Sequence, residues 1–118
     1  PHMHILGKSV KVTMTPPDGK EQVLVNIPEW DYNWQESYFF KEPIPVKAGT
    51  LIEVSAVFDN GANNPNNPSS PPRDVKRGDQ TTDEMLFGFL RATSDEPGSM
   101  IKTRFLTDRK DYEPVKNR

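Results

Sequence analysis

Thr50-Leu51-Ile52-Glu53-Val54-Ser55-Ala56-Val57-Phe58-Asp59 is the stretch whose reading decides the fold. Leu51, Glu53, Ser55 and Val57 alternate with Ile52, Val54, Ala56 and Phe58, which is the period-two signature of a β-strand. Lys47-Ala48-Gly49 turns the chain into it. Toward the N-terminus, Glu42 to Val46 is broken by Pro43 and Pro45 and belongs at a sheet edge or crossover. Gln35 to Lys41 reads as another strand. Between Pro28 and Trp34 the chain is irregular, and Trp30, Tyr32 and Trp34 are expected to pack across the sheet rather than to line a ligand groove. Val23, Val25 and Ile27 share one face of a strand over 21–27. Pro16-Pro17-Asp18-Gly19 is the turn separating it from a strand over 5–15, where Val10, Val12 and Met14 alternate with Ser9, Lys11 and Thr13.

Toward the C-terminus, Asn60 to Gln80 runs through Asn-Asn-Pro-Asn-Asn-Pro and Ser-Ser-Pro-Pro with almost nothing apolar. It is a long loop, and inside one domain such a loop serves function or is mobile. It delivers the chain to Thr81-Thr82-Asp83-Glu84-Met85, after which Glu84 to Ala92 is apolar enough for a final core strand. The expected architecture is all-β: an antiparallel, jelly-roll-like β-sandwich over residues 1–93, with 94–118 a peripheral extension of the same domain. In that extension Lys102, Arg104, Arg109, Lys110 and Lys116 read as a solvated face.

Composition narrows the function classes. The 118 residues suit one core, with 33% hydrophobic and 27% charged residues and more prolines (12) than glycines (7), which favours turns and extended segments over long helices. A formal charge of -2, with Lys and Arg spread along the chain, gives no basic field for nucleic acid. No apolar run reaches the length of a membrane helix, and no signal-peptide pattern is present. The sequence opens in mid-motif with Pro1-His2-Met3-His4, which reads as a domain cut from a longer polypeptide. Pro-His-Met is also what tag removal leaves behind. With no cysteine there is no disulfide, thiolate ligand or Cys nucleophile, and with two histidines a Ser-His-Asp triad has little to draw on.

The informative feature is His2-x-His4 at the head of a strand. Side chains two apart on a strand project from one face, so both imidazoles can reach one ion. A cupin-like site would want a further histidine or a carboxylate, and Lys8 stands where its Glu would follow. Zinc or iron sites closed by Asp or Glu stay open, whereas a thioether donor would select copper, Cu(I) above all. Of the methionines, Met3 points away from the histidine face, Met14 lies on an apolar stripe as core filling, and Met100 lies in the extension. Met85 differs in following a polar run at the mouth of a strand. Asp83 is read as orienting that run by hydrogen bonds, with Glu84 either solvated or supporting a metal ligand from behind.

His2-Met3-His4-Ile5-Leu6-Gly7-Lys8 resembles the His-x-His-x-Leu-Gly-Lys segment of the copper type II, ascorbate-dependent monooxygenases, the family of peptidylglycine α-hydroxylating and dopamine β-monooxygenases. Gln80-Thr81-Thr82-Asp83-Glu84-Met85 is similar to their Asp-Glu-Met segment, and Ala56-Val57-Phe58 with its polar loop falls between the two. The likeness covers roughly residues 2–92. Asp31 to Gln35 and Asn63 to Pro68 look most like bacterial members. The resemblance implies a catalytic copper held by His2, His4 and Met85, where O₂ is activated and a C–H bond hydroxylated. It also implies ascorbate or another reductant, a preceding domain of the same polypeptide that carries a second copper, an organic substrate and a periplasmic or extracellular setting. Affinity for the metal should fall as the imidazoles protonate.

The departures limit that expectation. The three-histidine set of the second copper is missing, so this chain would be half of an enzyme. The Asn and Tyr that anchor a peptide carboxylate two and four residues past the methionine are here Phe87 and Phe89, and no Arg precedes His2. A glycine-extended peptide is therefore not the expected substrate. Two other classes fit the same residues: a copper-binding or delivery module without turnover, and a metal-free sandwich for protein or carbohydrate interaction.

Overall fold

The computed structural model describes residues 1–95. Its elements are β1 (His2–Met3), β2 (Gly7–Thr15), β3 (Gln22–Ile27), β4 (Leu51–Phe58) and β5 (Leu86–Phe87), with no helix among the described residues and so none long and apolar enough to cross a membrane. They form two antiparallel sheets, a three-stranded one in the order β3-β2-β4 and a two-stranded one pairing β1 with β5. The protein is all-β, as the alternation over 50–59 and 5–15 requires.

Register explains the core. Val10 lies between Ile27 and Ala56, Val12 between Val25 and Val54, and Met14 between Gln22 and Ile52. Directly opposed residues project to one side, so these side chains share one face, apolar except for the exposed Gln22 at its end. Val10, Val12 and Met14 are buried, while Ser55 and Val57 of the alternate set are exposed. Met3 and Trp30 join Val10 in the core cluster, with Val54, Ala56, Phe58 and Leu86 packed against it. Met3 and Leu86, paired across the small sheet, thus lock it onto the large one.

Four expectations are corrected. Gln35 to Lys41 forms no strand. Tyr38, Phe39 and Phe40 instead line an open groove with Leu24 to Pro28, because β-propensity supplies no hydrogen-bonding partner of its own. Glu84 to Ala92 contributes only Leu86–Phe87 to a sheet, and Phe89 and Leu90 are largely exposed. Its partner β1 is two residues long, since the chain turns at once through the Gly7 N–H to His4 carbonyl bond of 2.9 Å. Val23 does not share the face of Val25 and Ile27. A bulge pairs Val12 with Val25 but Thr13 with Val23, and the residue skipped between them throws Val23 to the other side, where it is exposed. Of the three aromatics expected to pack, Trp30 is buried, Tyr32 is half-buried and Trp34 is exposed.

Asn60 to Gln80 is a loop, as expected, and it is laced by its own asparagines. Asn64 Nδ2 donates to the Asp59 carbonyl (2.6 Å), Asn67 Nδ2 to Asn60 Oδ1 (2.9 Å) and Asn60 Nδ2 to the Arg73 carbonyl (2.8 Å). Asn64 and Asn67 also cap the backbone N–H two residues on, the local bonding that favours Asn in turns. At the head of the loop, the Gly61 N–H, and after it the Lys8 ammonium, hold the Asp59 carboxyl below its ordinary value. That contribution is complete above the unfolded carboxyl range and disappears as pH falls through the lowered folded value. Met100 and nearly all of the 94–118 extension lie outside the described residues.

Gly7 sits where the two sheets meet. A Cβ there would come 2.9 Å from both Met3 Cε and Trp30 Cδ1 and 3.1 Å from the His4 carbonyl oxygen. Both neighbouring side chains are buried and have nowhere to retreat. Gly7→Ala should therefore lower unfolding stability by about 1–3 kcal/mol, the usual range for overpacking, as read by chemical denaturation; an unchanged midpoint would show that the contact yields freely.

Candidate metal centre

The small sheet positions the site. His2 pairs with Phe87 and Met3 with Leu86. The ladder ends there: the Ile5 N–H bonds the Thr81 carbonyl at 3.4 Å instead of continuing that register, and His4 and Met85 stand just outside the two strands. Since strand side chains alternate and opposed residues share a side, His2 and Phe87 fall on one face of the small sheet and Met3 and Leu86 on the other. Met3 is fully buried, which pins this alternation. The His2 and His4 ring centroids are 5.2 Å apart with planes at 88°. Two imidazoles bonding one ion at about 2 Å each would have centroids about 5 Å apart at a near-tetrahedral angle, so the spacing suits a shared ion.

Hydrogen bonds decide which nitrogen each ring offers. His4 Nδ1 lies 3.0 Å from the Asp83 carbonyl. A carbonyl only accepts, so Nδ1 carries the proton and Nε2 keeps its lone pair. His2 Nδ1 lies 2.6 Å from Gln35 Oε1, and the Gln35 amide is oriented by its Nε2 donating to the Tyr32 carbonyl at 2.8 Å. His2 Nδ1 is then also the donor. Both rings present Nε2, the arrangement by which an outer partner readies a histidine for ligation. His4 is buried and His2 half-buried, so the pair lies at the rim of the core.

The Gln35 position is fixed by its own turn. Asp31 Oδ1 accepts the Asn33 N–H at 2.8 Å and the Trp34 N–H donates to the Asp31 carbonyl at 3.0 Å. Gln35 starts no strand, contrary to expectation, and its bond to His2 joins segments far apart in the sequence. Only the Asx-turn pattern of Asp31-Tyr32-Asn33 carried a signal, and it announces a turn without naming what the turn delivers. The Asp83 carbonyl leaves no trace in residue type at all.

The donors that the structure brings together are therefore two imidazole nitrogens, with Met85 half-buried one residue before β5. Among the described residues no group of three or more His, Cys, Asp and Glu side chains is arranged to hold a metal. Phe87 and Phe89 are stacked with centroids 5.7 Å apart. The fold and this cluster define an all-β chain with a paired-histidine face on a short sheet. The chain matches no family model, no curated protein and no solved structure.

Proposed function

We propose that this chain is the mononuclear copper-binding domain, a β-sandwich, of an ascorbate-dependent monooxygenase. A preceding domain of the same polypeptide would supply the second electron-transfer copper, and the setting would be periplasmic or extracellular. The observation that carries the reading is the pair of rings 5.2 Å apart, each with Nδ1 engaged so that Nε2 is offered; Met85, the residue before β5, is the third donor that the family resemblance implies. Bound copper would supply O₂ activation for hydroxylation of a C–H bond, with ascorbate or another reductant as electron source.

The chain's own residues have separate tasks. His2 and His4 hold the ion through Nε2, and Gln35 and the Asp83 carbonyl keep the rings from rotating. Met85 brings a soft donor that favours the reduced ion over Zn²⁺ and other harder cations. Phe87 and Phe89 give the same side of the small sheet an apolar character suited to a neutral organic substrate.

Titration of the full chain with Cu(I) against a competing chelator tests this. Submicromolar binding of a single ion is the expected result, and the absence of binding would remove the proposal. Oxygen consumption with ascorbate in the polypeptide that includes the preceding domain separates a hydroxylase from a delivery module. Gln35→Leu should weaken Cu(I) binding about 10–100-fold, the usual effect of removing a ligand's supporting hydrogen bond, without unfolding a protein whose Gln35 is exposed. Equal affinity of variant and wild type would show that His2 needs no such support.

A further inference from the structure

We infer that Gly78 and Asp83 form a clasp that sets the tautomer of His4 before any metal arrives, and that both are positioning residues of the site. The consequence for copper rests on the ligand role given to His4 above; the effect on the ring does not.

The loop that precedes Met85 closes on itself. The Glu84 N–H donates to the Lys76 carbonyl at 3.0 Å and the Gly78 N–H to the Glu84 carbonyl at 3.2 Å, while Arg77 and Glu84 form a parallel bridge. Within this ring Asp83 is held twice. Its N–H donates to the Gln80 carbonyl at 2.8 Å, and its Oδ2 accepts the Gln80 N–H at 3.2 Å. With N–H and carboxylate both committed inside the loop, the Asp83 carbonyl is the group that accepts from His4 Nδ1. The Ile5 N–H to Thr81 carbonyl bond, 3.4 Å, ties the same loop to the residue after His4.

Gly78 is needed for space. Among the described residues only Gly49 has a positive φ, so no left-handed backbone demands glycine at 78. A Cβ at Gly78 would collide with Asp83 Oδ2 and come 2.7 Å from its Cγ and 3.1 Å from its Cβ. The carboxylate is the end of a side chain, yet it cannot swing aside without giving up the Gln80 N–H. A side chain at 78 therefore displaces Asp83, and with it the carbonyl that His4 uses. The consequence is chemical as well as steric. A free neutral imidazole favours the Nε2–H tautomer, which would put a proton on the nitrogen the site must offer. His4 is buried, so water does not readily replace the lost acceptor.

Ring-nitrogen NMR of the metal-free, ¹⁵N-labelled full chain at neutral pH reads this directly. In wild type His4 should be entirely Nδ1–H. In Gly78→Ala and Asp83→Ala it should become a mixture of tautomers, while His2, held by Gln35, stays unchanged as an internal reference. Asp83→Asn keeps an oxygen for the Gln80 N–H and should restore the wild-type pattern. Asp83→Ala introduces no crowding, so it remains informative where Gly78→Ala fails to fold. Cu(I) affinity should drop about 10–100-fold in the two alanine variants and return in Asp83→Asn. His4 remaining wholly Nδ1–H in folded Asp83→Ala and Gly78→Ala would overturn the clasp. A tautomer shift in a protein that binds no Cu(I) would uphold the clasp and remove the copper reading.

Discussion

On the proposed copper role, His4→Ala should abolish submicromolar Cu(I) binding, and Met85→Ala should weaken it by more than the about 10–100-fold that loss of a supporting hydrogen bond costs. The two effects differ in kind. His4 is buried beside the Asp83 carbonyl, so its removal leaves a hole and one imidazole, and a single His2 nitrogen on a half-buried ring does not chelate. Met85 is the soft donor of the proposed site, so its loss should cost more affinity for Cu(I) than for Cu(II), because thioethers discriminate between the two oxidation states. Competitive titration with each ion on wild type and both variants measures this. Met14→Leu serves as the control, since Met14 is buried on the β2 stripe. Unchanged Cu(I) affinity in His4→Ala and Met85→Ala together would reduce the His2–His4 face to a structural feature.

The second large effect is on stability. Met3 is fully buried and belongs to the cluster with Val10 and Trp30 that joins the two sheets. Met3→Ala should cost about 2–5 kcal/mol by loss of transfer free energy plus the cavity left behind, a large share of the about 5–15 kcal/mol that holds an ordinary domain together. Met3→Leu conserves volume and should cost less than about 1.5 kcal/mol. The pair also tests the alternation on which the site depends. The Met3 side chain anchored inward is what keeps its neighbours His2 and His4 on the opposite side. Under conditions where Met3→Ala is still mostly folded, its Cu(I) affinity should fall along with its stability. A denaturation midpoint equal to that of wild type would mean that the small sheet is not held by this contact.

How much was legible depends on the range of the interaction. Strands over 5–15 and 50–59 were readable because burying one side of a sheet imposes alternation on neighbouring residues, and Val10, Val12, Val54 and Ala56 carry it openly. The loop from Asn60 was readable for the opposite reason, having almost nothing to bury. Gln35 to Lys41 has the aromatic content of a strand and none of its pairing. The Val23 reversal comes from a bulge, a backbone event that leaves the side-chain pattern intact. At the candidate centre His2 and His4 were legible from spacing alone, and the structure brings their rings within 5.2 Å. Gln35 and the Asp83 carbonyl were not legible, because one is a common polar residue 33 positions from its partner and the other is backbone.

By itself the sequence determined that the chain is all-β, that Met3 and the histidines flanking it face opposite ways, and that no cysteine chemistry is open to it. These follow from local periodicity and composition, which need no knowledge of what lies across the fold. Only the tertiary structure decided that β5 pairs with β1, that His4 is buried while His2 is half-exposed, and which nitrogen each ring presents. Those outcomes depend on hydrogen bonds between segments 33 to about 80 residues apart. Closing such loops is worth its entropic cost only once the apolar face of Met3 and Leu86 has docked.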